Sequence, residues 1–531
     1  FLMSLKNMEK RNLPARMNVK TIIDELGRKK TLLHGKFSYI PLDFHNFNTF
    51  YSNPENTVSC KKKQILFLGL GAELDDILPC SENKEQVFYL EHSAFAKQIS
   101  YAVPSNFRAI NEKELLAFCD EEFFQKTDIL FYKQNLQLFP GFWNTLLIRL
   151  RCAFFASAKN TFSEKGKYIF LTGGNNDLLH RELCQAIQDI NHIPVSLGQK
   201  NIQEILELID AKNPALYLSV NAQSLDNNGL IHEYLKQKNI PLALWFVDNV
   251  WNILSRFSQA WWKECTVFLT DFSFASQLQK EGAKKLFPLP LAGHSLQAPY
   301  ADLPQIPLFF VGNSSFANKS TYFSGCKLEH DFEQNIYRTI QKNLFEQKEL
   351  PDFHSIHQNL IYQEALWQNK NCRTISYAAA KADLYLRKLW LENLSPLVHI
   401  MGDNAWQDIL TTKHTFYPPA DYYKNLPTYY KNSLFTLNLT SLLMPANLSQ
   451  RHFDVWKNHG FLLSSPSRGM EIFPQDIQPV ITVHNPQDCL NRLELLLTKP
   501  NLKTEIQKIM QNEITQKHQY THRLQFILEH V

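Results

Sequence analysis

The stretch Tyr168-Ile169-Phe170-Leu171-Thr172-Gly173-Gly174-Asn175 reads as a short buried strand running into a tight glycine turn. A helical pattern from about Asp177 to Asn191 follows, and strand, turn and helix in that order open a parallel βαβ unit. Outward toward the C terminus the pattern repeats at Ala215-Leu216-Tyr217-Leu218, Leu242 to Val247 and Val267-Phe268-Leu269-Thr270, closing at Lys285-Leu286-Phe287. Pro288 to Pro307 holds five prolines and reads as a linker between domains. Another such unit opens at Leu308-Phe309-Phe310-Val311-Gly312 and resumes only at Leu397 to Gly402, after a largely helical insertion at about 330–392. Strands expected at Phe435 to Asn438, Phe461 to Ser464 and Val480 to Val483 complete it. Outward toward the N terminus, Ile65 to Leu68, Val87 to Leu90 and Ile129 to Tyr132 predict a separate α/β accessory domain. The expected division is therefore 1–160 (accessory), 161–300 and 301–510 (two Rossmann-like domains), and 511–531 (a terminal helix).

Composition narrows the function class. Of 531 residues only 17 are glycine, while 44% are hydrophobic and 13% aromatic, which excludes collagen-like and low-complexity disordered chains. Lys plus Arg is 55 against 51 for Asp plus Glu, so the net charge of +4 supplies no basic groove for nucleic acid. The nine cysteines are scattered, odd in number and form no C-x-x-C pair, which suits reduced thiols in a cytoplasmic protein. The most apolar stretch, Trp143 to Ala158, is interrupted by Arg149 and Arg151 and predicts no membrane span.

Two facing Rossmann-like halves bind ligands outside the carboxyl ends of their strands. The richest motif there runs from Asn438-Leu439-Thr440 through Gln450-Arg451-His452-Phe453-Asp454 to His459-Gly460-Phe461-Leu462-Leu463-Ser464 and Gly469-Met470-Glu471-Ile472-Phe473. Arg451 is expected to open a helix, where a guanidinium and the helix N terminus together suit a diphosphate. Gly460 is expected to end that helix in the left-handed conformation. Glu471, on the next loop, could hold ribose or sugar hydroxyls.

This arrangement of motifs resembles the CgeB-like, spore-maturation-protein type of bacterial glycosyltransferase, related to the group 1 GT-B enzymes. The resemblance covers about residues 165 to 531. It rests on Arg451 to Asp454, on Gly460 before its apolar strand, on Glu471 before Phe473, and on Tyr520, His522 and Arg523 in the tail. Upstream, Trp245-Phe246-Val247-Asp248-Asn249, Thr270-Asp271, Leu289 to Ala292 and Phe310 to Asn313 fall in the family's order.

The resemblance implies an α/β GT-B fold and transfer of a sugar from a UDP- or GDP-sugar to an acceptor hydroxyl, possible acceptors being a protein or a surface glycan. It implies no cofactor and no metal, because GT-B enzymes commonly offset the leaving diphosphate with positive protein groups. Gly312, Asn313, Lys319, Gly402, Asn438, Arg451, Asp454, Gly460 and Glu471 are then the donor-side candidates. Gly173, Gly174, Asn175, Asn249 and Asp271 are candidates for the acceptor side, with Asp248 as the base and Arg451 as the catalytic cation. The same plan would also suit a catalytically silent binding or scaffold protein, or a nucleotide-sugar epimerase. Gly69-Leu70-Gly71 lacks a third glycine and is followed by acids, Asp75-Asp76 has no GT-A context, and His354 with His357 has no partner acid, so these predict turns and surface rather than sites.

Overall fold

Where an apolar run is covered on both faces it forms a parallel strand, and the chain uses that rule in three separate sheets. The computed structural model describes residues 20–25, 27–32, 38–42, 44, 60–99, 102–157, 166–174, 177, 179–257, 259–294, 304–316, 319–360, 366–367 and 371–531. Two units follow one another, 1–162 and 163–531.

The first unit holds a five-stranded sheet in the order Tyr39–Pro41, Thr127–Tyr132, Gln64–Leu68, Gln86–Leu90, Phe107–Ala109. All its pairings are parallel except that of Tyr39–Pro41. Ile65 to Leu68 are fully buried, in one core with Trp143, Leu146, Leu147 and Leu150 of the helix Pro140–Ser157. Gly69 and Gly71 turn the chain in the left-handed region (φ +86° and +70°), as strand-end turns require. Asp75 and Asp76 sit in a single 3₁₀ turn.

The second unit carries two parallel sheets. In the first half the strands are β1 (Tyr168–Leu171), β2 (Ile193–Ser196), β3 (Leu216–Val220), β4 (Leu242–Phe246), β5 (Thr266–Leu269) and β6 (Lys285–Pro288). Their order is β6-β5-β4-β3-β1-β2. In the second half they are β7 (Ile306–Val311), β8 (Val398–Met401), β9 (Thr415–Tyr417), β10 (Ser433–Asn438) and β11 (Leu462–Ser464), in the order β9-β8-β7-β10-β11. Each sheet winds both ways from its first strand. The points of reversal, where ligands settle in such sheets, are therefore β1/β3 and β7/β10. This is the expected α/β, GT-B-like plan.

The insertion forms three helices, α1 (His330–Glu346), α2 (Phe353–Leu360) and α3 (Asn371–Asn393), with α1 and α2 both packed on α3. An ion pair at 2.6 Å joins Lys381 of α3 to Glu333 of α1.

Two expected elements differ. Val480 to Val483 is not a strand: Gln478–Ile481 forms a short helix, and Thr482 alone makes a bridge to Ser464. Pro479 lacks the N–H a ladder needs but suits a first helical turn, and the Thr482 hydroxyl donates back to the Gln478 carbonyl at 2.7 Å. The stretch 511–531 is not one helix either. It belongs to α4 (Pro500–Lys517) and α5 (Tyr520–His530), broken at His518 and Gln519. The His518 carbonyl at that break accepts from the linker N–H of Gly293 at 2.8 Å. Arg523, buried, donates to the Pro290 and Leu291 carbonyls at 2.8 and 2.9 Å. The tail motif thus fastens α5 to the linker, and α5 returns to pack on the first half's helix His180–Asp189.

Candidate functional site

At the end of β7 the loop backbone is fixed by its neighbours. A Cβ at Gly402 would collide with the Gly312 carbonyl, and that carbonyl accepts from the Trp406 indole at 2.8 Å. Asp403 accepts from the Ser314 N–H and hydroxyl at 2.9 and 3.0 Å, leaving Asn313 exposed at the rim. At the end of β10, Asn438 is wholly buried and its side-chain Oδ1 accepts from Arg451 Nε at 2.9 Å and Ser449 Oγ at 2.8 Å. Its amide donates to Ser464 Oγ at 3.1 Å. The neighbouring His452, fully buried between Ser449 and Ser464, has its pKa pushed down to about 3 by burial and by the Arg451 charge, so the ring is neutral at physiological pH.

Arg451 opens its helix, Arg451–Lys457, half-buried, with a neutral amide as partner rather than an acid. Two further cations share its surroundings. Arg387 of α3 donates to the Asn313 carbonyl at 3.1 Å and pairs with Asp383 at 2.5 Å. Lys319 begins a short helix just beyond the same loop. Burial lowers the pKa of Arg451, and the Arg387 charge adds to that while Tyr430 and Asp454 oppose it. Burial likewise lowers Lys319, with Arg387 and Lys381 adding and Asp383 opposing. Arg387 thus adds to the lowering of both Arg451 and Lys319, which burial dominates in each case. Arg387 escaped sequence reasoning because 387 lies in the insertion; only the packing of α3 against the β7 loop gives it this role.

Asp454 makes no ion pair with the cations among the described residues. It is wholly buried, with its hydrogen bonds taken elsewhere: it accepts from the Tyr422 hydroxyl, from Gln450 Nε2 at 2.9 Å and from the His294 N–H at 3.3 Å. Burial pushes its carboxyl up to about 7. Its neighbour across the two halves is Glu182, 1% exposed, which accepts from the Tyr423 hydroxyl at 3.0 Å through one oxygen; the other has no hydrogen bond among the described residues. Tyr520 donates to Gln450 at 2.8 Å and belongs to this same seam.

Gly460 needs correction as well. The left-handed residue at the helix end is His459 (φ +63°), and Gly460 is required for room: a Cβ there would lie 2.7 Å from Val455 Cγ1 and 3.1 Å from the Tyr430 carbonyl oxygen. Glu471 is exposed and lines a cavity of about 560 Å³ between the insertion and the loops after β10 and β11, with Thr440, Ser465, Arg468, Trp390 and His484.

In the first half, Gly173 (φ +82°) and Gly174 follow β1, and the Gly174 N–H donates to Asp177 at 2.6 Å. Asn175 lies outside the described residues. Asp248 follows β4; its carboxylate reaches solvent from a recess crowded enough that burial raises its pKa, against the lowering effect of a hydrogen bond from Asn221. Asn249 and Asp271 are buried and join the halves. Asn249 caps the helix Val250–Leu254 and donates to the Leu443 carbonyl at 2.9 Å, while Asp271 accepts from the Ala446 N–H at 3.0 Å. Trp251, Trp261 and Trp262 are buried packing groups, and His354 bonds to Ser273 at 2.8 Å. Among the described residues no group of three or more His, Cys, Asp or Glu is arranged to hold a metal, and no helix is long and apolar enough to cross a membrane.

Residues 386–529 match a family described as glycosyl transferase-like, a span that includes Arg387, Asn438, Arg451 and Glu471. The chain therefore carries a glycosyltransferase-like domain in its second half. Curated proteins give no match. Among solved structures, T4 phage BGT in complex with its UDP-glucose substrate is similar over 68% of this chain and 97% of its own, at 8% identity and a TM-score of 0.38. A structure of the DNA modifying enzyme β-glucosyltransferase, with and without uridine diphosphoglucose, is similar over 68% and 98% at 9% identity and a TM-score of 0.37.

Proposed function

We propose that the chain is a GT-B glycosyltransferase of the CgeB-like type, moving a sugar from a UDP- or GDP-sugar to an acceptor hydroxyl of a protein or glycan in the cytoplasm. The observation that carries this reading is the gathering of Arg451, Arg387 and Lys319 around the ends of β7 and β10. Negative charge builds on the diphosphate as the glycosidic bond breaks, and fixed cations in a half-buried setting stabilise it without a metal. Asp248, across the cleft, takes the acceptor proton. All nine cysteines are free, which suits a reducing compartment.

Incubation with UDP-glucose, UDP-galactose, UDP-N-acetylglucosamine and GDP-mannose, followed by chromatography of released UDP or GDP, tests the donor class. Release from at least one donor is expected, with Asp248→Asn lowering turnover by about 10² or more while donor binding persists. No stabilisation by any donor or by free UDP or GDP would indicate a silent scaffold instead. An altered sugar still attached to its nucleotide would indicate an epimerase.

A further inference from the structure

The loop after β3 is built unlike any other beside the cleft. Asn221, Ala222 and Ser224 are all left-handed, with φ of +51°, +52° and +51°. Asn and Ser have local polar groups to offset this conformation, but for Ala222 it costs about 1 kcal/mol and persists only if the surroundings enforce it. They do. Arg256 donates to the Ala222 carbonyl, Ser219 Oγ to the Gln223 carbonyl at 2.8 Å, and Tyr217 to the Ser224 carbonyl at 2.7 Å. Asp226 then accepts four successive backbone N–H groups, from Asn228 to Ile231.

The outcome of this enforced geometry is the placement of one amide. The Asn221 N–H donates to the Trp245 carbonyl at 2.8 Å, so its backbone extends the β3/β4 pairing. Its side-chain oxygen accepts from the Val247 and Asp248 N–H groups at 2.9 and 3.3 Å, and its amide nitrogen donates to Asp248 Oδ2 at 2.7 Å. Asp248 Oδ1 receives no hydrogen bond among the described residues.

We propose that Asn221 is a positioning residue for the transfer reaction, holding Asp248 with one carboxylate oxygen fastened and the other presented to the acceptor hydroxyl. This rests on the reading of Asp248 as the base. In the step so arranged, the acceptor O–H proton passes to Asp248 Oδ1 while the acceptor oxygen bonds to the anomeric carbon. The bond from that carbon to the diphosphate breaks, and its electron pair leaves with the nucleoside diphosphate.

Carboxyl-carbon NMR of protein labelled at aspartate tests this without a known acceptor, the Asp248 signal being the one absent from Asp248→Asn. Asn221→Gly keeps the left-handed backbone and removes only the amide; Asn221→Asp keeps the acceptor oxygen and replaces the donor with a like charge. The Asp248 titration midpoint is expected to rise by about half a pH unit in the first variant and by about one or more in the second. A midpoint unmoved in both folded variants would overturn the positioning role. If Asp248→Asn retained full transfer with the donor panel, the base reading would fail even where the midpoint had shifted.

Discussion

The two Rossmann-like halves share a winding plan but not a chemistry. In the first, the loops beyond β3 and β4 present Asn221 and Asp248. In the second, the loops beyond β7 and β10, with α3 laid against them, present Arg451, Arg387 and Lys319. The same topology therefore fixes where a ligand would settle in each half, while loops and an insertion decide that one face carries a carboxylate and the other a group of cations. The seam between them is closed by contacts such as Asn249 to Leu443 and Asp271 to Ala446.

The largest effect should come from the seam. Asp454 titrates at about 7 in the folded chain, well above the ordinary aspartate value of about 3.9. Between those values the folded state binds the proton more tightly than the unfolded state, so this contribution is present in acid and lost as pH rises toward 7. Urea unfolding at pH 4 and pH 7 should show the wild type losing on the order of 3 kcal/mol that Asp454→Asn does not lose. Equal losses in both would show that the seam does not hold this proton.

Next, the two cleft glycine turns should differ. Gly402→Ala puts a methyl against the Gly312 carbonyl and 3.0 Å from Trp406, and should cost about 2 kcal/mol. At Gly174 the nearest atom would be 3.9 Å away, so Gly174→Ala should change stability by less than about 0.5 kcal/mol in the same assay. Gly460→Ala should cost about 1 to 2 kcal/mol through Val455 and Tyr430, whereas His459→Gly should be neutral or gain up to about 1 kcal/mol by relieving the left-handed backbone. Asn249→Ala should cost about 1 kcal/mol from a lost cap, read as a lower melting temperature with donor affinity retained.

The parallel sheets were legible because runs such as Tyr168 to Leu171 and Leu242 to Phe246 are apolar on both faces, as strands covered on both sides require. Val480 to Val483 misled because β-branched side chains suggested a strand while Pro479, one residue before them, favoured a helical turn. Asp454 shared a motif with Arg451, yet its hydrogen bonds go to the linker, Tyr422 and Gln450 and none to the cations among the described residues. Arg387 had no local signal; its meaning comes from contact with a loop seventy-four residues earlier in the chain. Asn221 carried a faint one, since asparagine tolerates the left-handed region, but Ala222 beside it concealed the turn.

The central claim is that the second half binds the diphosphate of a nucleotide through Arg451 and its neighbouring cations. Calorimetry of UDP against UMP, and of GDP against GMP, on the wild type and on Arg451→Ala isolates that contribution. The account predicts that the diphosphate binds more tightly than the monophosphate in the wild type, and that the variant loses about 1.5 to 3 kcal/mol of diphosphate affinity while its monophosphate affinity changes less. Diphosphate and monophosphate affinities that stay unchanged in Arg451→Ala would contradict it.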